Sequence, residues 1–410
     1  MFEAAVEAAQ PRLQLERFLP PKPEGRTVVL GAGKASAQMA KALEDIWPGP
    51  LQGLVVTRYG SAVPCRQIEI VEARHPVPDE AGRLAAQRIL SMARDLTEAD
   101  LVVALISGGG SALLPAPAPG LTFDDEQQIN RSLLRSGAPI GSMNLIRNQF
   151  STIKGGRLAL ACHPATVWTL LVSDVPGDDP ALVASGPTVA MSGSRKQARR
   201  LANLYGIDLP EAARELLATE RNAAPRPTDR RFARNVVRTV ASASLSLDAA
   251  AAVAQERGIA CHVLSDAIEG EAKVVAGVHA GIVREMLLRG RPFRSPAVLL
   301  SGGETTVTIK GVSGRGGRNT EFLLGLALAI EGLDSVVALA ADTDGIDGSE
   351  TNAGAFVDGT SASRMRDLGI DPLQLLAAND AYAAFEALGD LFFTGPTGTN
   401  VNDFRAIFVN

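Results

Sequence analysis

The sequence contains few of the residues that build disulfide frameworks, zinc sites and base-stacking surfaces. Its 410 residues include 3 cysteines and 4 histidines, without the paired spacing of a metal site or a disulfide-stapled fold. Aromatic residues make up 4% of the chain, which argues against a surface that stacks nucleic-acid bases. The net charge is −5, so the protein as a whole would attract neither nucleic acid nor an anionic membrane.

Long apolar runs are also missing. The longest, FLLGLALAI at 322–330, is about half the length that a helix needs to cross a bilayer. Near the N-terminus, Glu3 and Glu7 stand where a signal peptide would carry basic residues. We therefore expect a cytoplasmic protein with no membrane and no nucleic-acid partner, and a homodimer is one assembly to expect.

What the sequence does contain is a regular alternation of apolar strands and amphipathic helices. Strands that read as unbroken apolar runs are typical of a parallel sheet buried on both faces. The pattern predicts an α/β fold with a Rossmann-like parallel sheet in the N-terminal part, whose strands lie near residues 27–31, 53–57, 67–73 and 100–107.

The length favours two domains. A polar stretch with several arginines and two prolines, at 219–234, predicts a boundary there, with an N-terminal domain at 1–234 and a C-terminal α/β region at 235–410. In the second region, AVLLSGGETTVTI at 297–309 predicts two strands joined by a turn at Gly302 and Gly303. The second sheet is therefore expected to be mixed.

The first loop that carries candidate binding or catalytic residues is GAGKAS at 31–36. Gly31 and Gly33 resemble a dinucleotide-binding turn, but the end of the next strand carries Thr57 and Arg58 instead of the acid that holds the ribose of NAD. An arginine there suits the phosphate of NADP, so a nicotinamide cofactor stays open. Lys34, at the start of a helix with free backbone amides, suits a phosphate or a carboxylate.

A second loop follows the most apolar strand of the chain. Three successive glycines carry a large entropic cost on folding, so a ligand or another backbone must approach them closely. Successive amides bind anions, and the candidates are Ser107, Gly108, Gly109, Gly110 and Ser111.

Three further loops carry charged side chains. Asp174 follows an apolar strand, where it could hold magnesium or accept a proton. Arg315 and Arg318 lie in the glycine-rich segment 311–324, and Asp342, Asp344 and Asp347 follow another strand. Arginines for anionic oxygens and carboxylates for a cation are the equipment of phosphoryl transfer.

Nine motifs in order resemble the two-domain glycerate 2-kinases, whose C-terminal part is called the MOFRL domain. The resemblance covers nearly the whole chain. The motifs are GAGKAS, HPVPDEAG, LISGGGSALL, IKGGRLA, SDVPGDDPALVASGPT, SGGETTV, GRGGRNTEF, DTDGIDG and GTNVND. Before IKGG, Asn148 and Gln149 replace the Lys-His pair of the family pattern.

This resemblance implies a fold and an activity. It implies an active-site cleft between the N-terminal domain and a smaller MOFRL domain at about 296–410. It also implies that the γ-phosphate of ATP is transferred to the 2-hydroxyl of D-glycerate, with Lys34 and Arg318 as the catalytic lysine and arginine.

Within that activity, the other candidate residues take expected roles. Mg²⁺ would bridge ATP oxygens and one or more of Asp174, Asp342 and Asp344. Asp174 is also the candidate acceptor of the hydroxyl proton, and the loop at 108–110 could hold a phosphate or the substrate carboxylate. Gly302, Gly303 and Arg315 are further candidates for binding anions.

Two other functions stay open. A hydroxypyruvate reductase that uses NAD(P)H would act on the same carbon skeleton through the GAGKAS turn. Its weakness is that hydride transfer does not need the arginines and aspartates. A nucleotide or phosphosugar sensor would not need Lys34 and Arg318 together.

Overall fold

The computed structural model describes residues 1–219, 222–309 and 314–410. Its two compact units are Pro11–Val240, the first unit, and Met1–Gln10 with Ala241–Asn410, the second unit. Parts of the predicted boundary stretch (220–221) and of the glycine-rich segment (311–313) lie outside the described residues.

The division differs in two ways from the domain boundary expected at 234/235. It falls a few residues later, and the first ten residues belong to the second unit. The reason is packing of helix α1 (Phe2–Ala8), because the Phe2 ring meets the rings of Phe392 and Phe404 edge-on, with centroids 5.2 Å and 5.6 Å away.

The first unit is built on a six-stranded sheet. Its strands are β1 (Thr27–Ala32), β2 (Gln52–Arg58), β3 (Ile68–Ala73), β4 (Leu101–Ser107), β5 (Thr166–Val172) and β6 (Val236–Ala241). Their order is β3-β2-β1-β4-β5-β6, and the pairings from β3 to β5 are parallel. Every residue of β1 and β4 is buried, as expected of strands covered on both faces. The predicted parallel sheet is confirmed.

Helices cover this sheet and extend beyond it. They are α2 (Pro11–Gln14), α3 (Ser36–Ile46), α4 (Glu80–Met92), α5 (Gly110–Leu113), α6 (Phe123–Arg135), α7 (Ile140–Arg147), α8 (Arg157–Cys162), α9 (Arg195–Leu204) and α10 (Glu211–Leu217). Short 3₁₀ turns lie at Leu15–Phe18, Asn148–Phe150, Pro176–Asp178, Val183–Ser185 and Arg230–Phe232. The apolar core of the sheet is completed by residues such as Leu30, Ile106 and Leu158.

The second unit contains a mixed six-stranded sheet, as predicted. Its strands are β7 (Ala260–Glu271), β8 (Ala297–Thr306), β9 (Val336–Asp342), β10 (Gly354–Asp358), β11 (Leu391–Phe392) and β12 (Asp403–Val409). In the order β11-β10-β9-β12-β8-β7, only the β7–β8 pairing is parallel.

The remaining helices belong to this unit. They are α11 (Ala243–Glu256), α12 (Ala272–Arg289), α13 (Arg318–Ala329), α14 (Ser361–Asp367), α15 (Pro372–Ala377) and α16 (Ala381–Leu388). Phe322 of α13 and Phe385 of α16 are fully buried in the core. Across the described ranges, no helix combines the length and the apolar character needed to span a bilayer.

The predicted turn at Gly302 and Gly303 is wrong. Both glycines lie inside the continuous strand β8, where they pair with Phe404 and Asp403 of β12. Gly303 has φ +123°, and a Cβ there would lie 2.2 Å from the carbonyl oxygen of Ile268. The glycine therefore permits the close approach of β7, whose register shifts in this region, and does not reverse the chain.

Candidate functional site

The first group of candidate residues lies at the carboxyl edge of the parallel sheet. Strands β1, β4 and β5 are neighbours and end at Ala32, Ser107 and Val172. The loops that carry Lys34, the three glycines and Asp174 therefore leave the sheet side by side, where open α/β sheets bind their ligands.

Hydrogen bonds hold the first two loops together. The Lys34 amide donates to the Gly108 carbonyl at 2.8 Å, and the Ala35 amide donates to Ser107 Oγ at 3.0 Å. A Cβ at Gly33 would lie 2.1 Å from Ser107 Oγ, so a glycine is required where the loops touch. Ser107 thus holds the two loops in contact, and its hydroxyl is occupied by the protein itself.

The three glycines are packed against the candidate catalytic side chains. A Cβ at Gly108 would lie 1.6 Å from Asp174 Oδ2, and a Cβ at Gly109 would lie 3.1 Å from Lys34 Cγ. The structure thus brings Lys34, the glycine-rich loop and Asp174 to one place in the first unit. Lys34 is half-buried, and no carboxylate in the described ranges forms an ion pair with it.

His75 also belongs to this group, and the sequence analysis assigned it no role. Its Cδ2 would lie 3.2 Å from a Cβ at Gly109, beside Lys34. Burial, followed by the positive charges of Lys34 and Arg58, lowers the pKa of His75 to about 4. The signal was present in the motif HPVPDEAG, but no residue type in that motif indicated a ligand by itself.

Ser111 forms the far end of the glycine-rich loop. Its hydroxyl lies 2.7 Å from Ser185 Oγ in a partly buried polar network. Asn148 and Gln149 are themselves buried, with exposures of 1% and 2%, so they do not present their side chains to a ligand at the surface.

The second group of candidate residues surrounds Arg318 in the second unit. This guanidinium contacts three carboxylates: its Nε donates to Asp403 Oδ1 at 2.5 Å, Nη2 to Asp342 Oδ2 at 2.8 Å and Nη1 to Glu304 Oε1 at 2.9 Å. These carboxylates raise the pKa of Arg318 against the opposing effect of burial. Glu304 is half-exposed while Asp403 is fully buried, so the Glu304 contact is the one that a ligand could displace.

Two buried carboxylates, Asp403 and Asp347, fix the position of Arg318 and of the helix that it begins. Asp403 also accepts from the Thr305 amide at 3.1 Å and pairs with Arg405. Asp347 accepts from the backbone amides of Asn319 and Thr320, at 2.9 Å and 2.8 Å, at the start of α13. Sequence reasoning counted Asp347 with the carboxylates for a cation, whereas the structure uses it to hold the start of α13; it gave Asp403 no role, although that residue lies in the quoted motif GTNVND.

The candidate metal ligands lie beside this arginine. Asp342 is 6% exposed, and its Oδ1 accepts from the Asp344 amide at 3.0 Å. Burial raises the pKa of Asp342 well above its usual range, and the charges of Asp344 and Asp403 act in the same direction, against Arg318. An additional cation would relieve this excess of negative charge.

The residues present fit Mg²⁺ in one specific way. In the described part of the chain, no three His, Cys, Asp or Glu side chains are grouped so as to enclose a metal ion. Magnesium often binds through one or two carboxylates together with substrate phosphates and water, which requires no such cage. Asp342 and Asp344 supply oxygen ligands of that kind.

Arg315 stands apart from the Arg318 cluster in its contacts. It is exposed, pairs with Glu386 Oε2 at 2.8 Å and stacks on the Tyr382 ring, with 4.6 Å from Cζ to the ring centroid. A cavity of about 290 Å³ instead lies against Arg318 and Asp342, with Thr305 and Asn379 also in its wall. The structure thus joins Arg318 with Asp342 but leaves Arg315 with its own partners.

Two domain families match the chain. The domain of unknown function DUF4147 matches residues 1–218, and the MOFRL family matches residues 297–403. The D-glycerate 2-kinase of Thermotoga maritima is 37% identical over 401 residues, which are 97% of this chain and 94% of that protein. The chain belongs to the glycerate kinase family. It is thus an enzyme of the kinase class, as the motifs predicted.

This glycerate kinase family member is also similar to a solved structure and to a relative with a different name. A crystal structure of glycerate kinase from Thermotoga maritima matches with a TM-score of 0.90 and 36% identity, covering 100% of this chain and 97% of that chain. A protein of Agrobacterium vitis named "Putative hydroxypyruvate reductase" is 52% identical over 411 residues, which are 100% of this chain and 93% of that protein.

Proposed function

We propose that this protein transfers the γ-phosphate of ATP to the 2-hydroxyl of D-glycerate, giving 2-phospho-D-glycerate and ADP. The observation that carries the proposal is the convergence of Lys34 and Asp174 on the glycine loop at 108–110. A cation, a carboxylate and closely approachable backbone together suit a phosphorylated or carboxylated ligand. Relatives named D-glycerate 2-kinase and Glycerate 2-kinase support the choice of hydroxyl.

In this proposal the protein supplies charge and position. Phosphoryl transfer passes through a loose transition state, so catalysis depends on neutralising charge and aligning the reacting oxygens. Lys34 and Arg318 supply positive charge, and the Glu304 contact of Arg318 is exchanged for an anionic oxygen. Asp174 accepts the proton of the 2-hydroxyl.

Magnesium enters the proposal as a partner of ATP. Asp342 and Asp344 would hold Mg²⁺, which neutralises phosphate charge when it is bound. We expect Asp342→Asn to raise the Mg²⁺ concentration required for half-maximal rate. Glu350→Asn, at a partly exposed position outside the Arg318 contacts, is the control.

A coupled assay tests the main proposal. ADP formation is followed with D-glycerate, ATP and Mg²⁺, and phosphorus NMR identifies the phosphorylated oxygen. We expect 2-phospho-D-glycerate, with turnover lowered by about 10²–10³ in Lys34→Ala, as for the loss of one preorganised charge contact. Lys41→Ala is the control, since Lys41 pairs with Asp45 on exposed α3 surface. Absence of ADP from the wild type would refute the proposal.

The name of the Agrobacterium vitis relative favours a second candidate, NAD(P)H-dependent reduction of hydroxypyruvate. The end of β2 argues against NAD, because Thr57 is buried and donates to the Lys34 carbonyl at 3.4 Å, and no acid stands there to hold a ribose. Arg58 suits NADP, but hydride transfer from either cofactor does not need the cluster of Arg318 and its carboxylates. Oxidation of NADH or NADPH with hydroxypyruvate, run in parallel, would favour the reductase if it occurred without ADP formation.

A further inference from the structure

A buried arginine lies behind the glycine-rich loop of the first unit. Arg147, the last residue of α7, is 7% exposed. Its Nε donates to Asn130 Oδ1 at 3.1 Å and its Nη1 to Asn144 Oδ1 at 2.6 Å, and both acceptors are neutral. Burial lowers the pKa of Arg147 to about 10.

Among the described residues of the first unit, no carboxylate pairs with Arg147. Its charged neighbours are Glu126 and Lys154, which pair with each other at 2.8 Å. No carboxylate of the described residues lies close enough to Arg147 to form an ion pair. A buried cation without a counter-charge is costly, and an anion bound beside it would offset that cost.

The remaining nitrogen of the guanidinium, Nη2, donates no hydrogen bond to residues 1–219, 222–309 and 314–410. On the neighbouring edge, Nη1 lies 3.3 Å from Ser185 Oγ, which lies 2.7 Å from Ser111 Oγ. Two hydrogen bonds thus connect Arg147 to the end of the glycine loop.

The turn that carries Ser185 is held in an unusual conformation. Ala184 and Ser185 have φ +52° and +61°, backbone angles that residues other than glycine rarely adopt. Such conformations persist where the surroundings fix them, and they are frequent in ligand sites. A Cβ at Gly110 would lie 2.6 Å from Ala184 Cβ, so this turn lies directly against the glycine loop.

We propose that Arg147 is a binding residue of an oxyanion subsite at residues 108–111, and that Ser185 positions its guanidinium there. The inference deepens the proposed function and rests on it for the choice of ligands. A carboxylate of the hydroxy acid and a phosphate of the nucleotide share the required oxyanion. Either one would receive charge-assisted hydrogen bonds from Nη2.

The first test is Arg147→Lys, which keeps the charge but removes the planar fork. We expect the KM of one ligand to rise about tenfold, with a smaller change in kcat. A rise for D-glycerate identifies the carboxylate, and a rise for ATP identifies a phosphate. A folded variant with both KM values unchanged overturns the inference, even if its melting temperature falls.

Arg157→Lys is the matched control. Arg157 is 8% exposed, and its Nη1 donates to the carbonyls of Asn148 and Lys154. It is therefore a buried arginine of the same unit with a purely structural set of contacts. We expect a lower melting temperature and unchanged KM values.

Asn130→Asp keeps the test decisive if Arg147→Lys does not fold. Asn130 Oδ1 already accepts from Arg147 Nε, so aspartate retains that bond and supplies the missing negative charge. We expect an about tenfold rise in the same KM and loss of the rise in melting temperature that D-glycerate, ATP or inorganic phosphate gives the wild type. Wild-type ligand response in Asn130→Asp overturns the inference.

The melting-temperature measurements with added oxyanions test this inference separately from the proposed function. If oxyanions stabilise the wild type but not the variants, and no ADP forms, the subsite stands and the kinase proposal fails. If ADP forms normally and the variants bind as the wild type does, the kinase proposal stands and the subsite fails. A wild type that no oxyanion stabilises also overturns the subsite.

Discussion

At the residue scale, the first unit shows how little space its glycine loop leaves. Gly108 is in a backbone conformation open to other residues, but its missing side chain is replaced by the carboxylate of Asp174. The glycine is thus required by its neighbour and not by its own dihedral angles. The candidate base can approach this backbone only because nothing projects from it.

Gly108→Ala should therefore displace Asp174. The added methyl would overlap Asp174 Oδ2, so we expect a loss of about 1–3 kcal/mol in the free energy of unfolding and a fall in kcat. Urea denaturation and the ADP assay measure the two effects. Gly141→Ala in α7, where a Cβ meets nothing within 4 Å, should be neutral or stabilising. Equal stability changes in the two variants would contradict this account.

His75 makes the stability of the protein depend on acid pH. Its folded pKa is about 4 against an ordinary value of 6.5, so the unfolded chain binds more protons between these values. Stability present above pH 6.5 is consequently lost as the pH falls toward 4. We expect His75→Gln to flatten the melting temperature profile across this window.

His163→Gln is the control for that measurement, because His163 is exposed and also precedes a proline. Melting temperatures are compared at intervals from pH 7.5 to pH 4. The same slope in wild type and His75→Gln would show that the neutral form of His75 is not favoured by folding.

At the scale of elements, α13 depends on a carboxylate from a distant loop. Asp347 is fully buried and accepts from the backbone amides and the side chains of Asn319 and Thr320, the residues that follow Arg318 at the start of the helix. The helix start that presents Arg318 is thereby fixed from inside the second unit.

Asp347→Asn should weaken this helix start. The amide replaces one acceptor oxygen by a donor facing Thr320 or Asn319, and we expect a loss of about 1–3 kcal/mol in the free energy of unfolding. Hydrogen exchange at the amides of 319–320 should become faster. Asp371→Asn, at the exposed N-cap of α15, should change stability by less than about 0.5 kcal/mol, since asparagine caps equally well.

The elements themselves show what sequence patterns determine. Unbroken apolar runs predicted β1 and β4 because both strands are covered on both faces. That Lys34 and Asp174 meet at the same glycine loop was learned from the structure, since it depends on which strands are neighbours in the sheet. The turn predicted at Gly302 and Gly303 was wrong because a glycine pair occurs both in tight turns and where a neighbouring strand approaches the backbone closely. The two cases are distinguished by the position of Ile268 next to Gly303, and that position is set by tertiary packing.

At the scale of the whole molecule, the N-terminal helix could not be assigned from its own sequence. Its apolar residues indicate a buried face but do not say which sheet covers it. Likewise, nothing local in GTNVND reveals that Asp403 pairs with Arg318, which is far away in the chain. Residues of both kinds are defined by contacts over long sequence separations, which periodicity does not report.

Phe2→Ala tests the membership of residues 1–10. Phe2 is 5% exposed between Phe392 and Phe404, so its truncation should cost about 3–5 kcal/mol. Hydrogen exchange should quicken in β8, β9, β12 and α11, with β1–β5 unchanged. Faster exchange confined to β1–β5 would place the helix with the first unit instead. Leu13→Ala, 42% exposed, is the control.

Because residues 1–10 belong to the second unit, Phe2 is synthesised long before the residues that it packs against. The segment is translated before the first unit, but the rings that cover Phe2, those of Phe392 and Phe404, are translated only after that whole unit and most of the second. At ordinary elongation rates of about 5–20 residues per second that delay is roughly 20–80 s, during which an aromatic ring remains uncovered on the nascent chain. Vectorial synthesis and refolding from denaturant should therefore pass through different partly folded species.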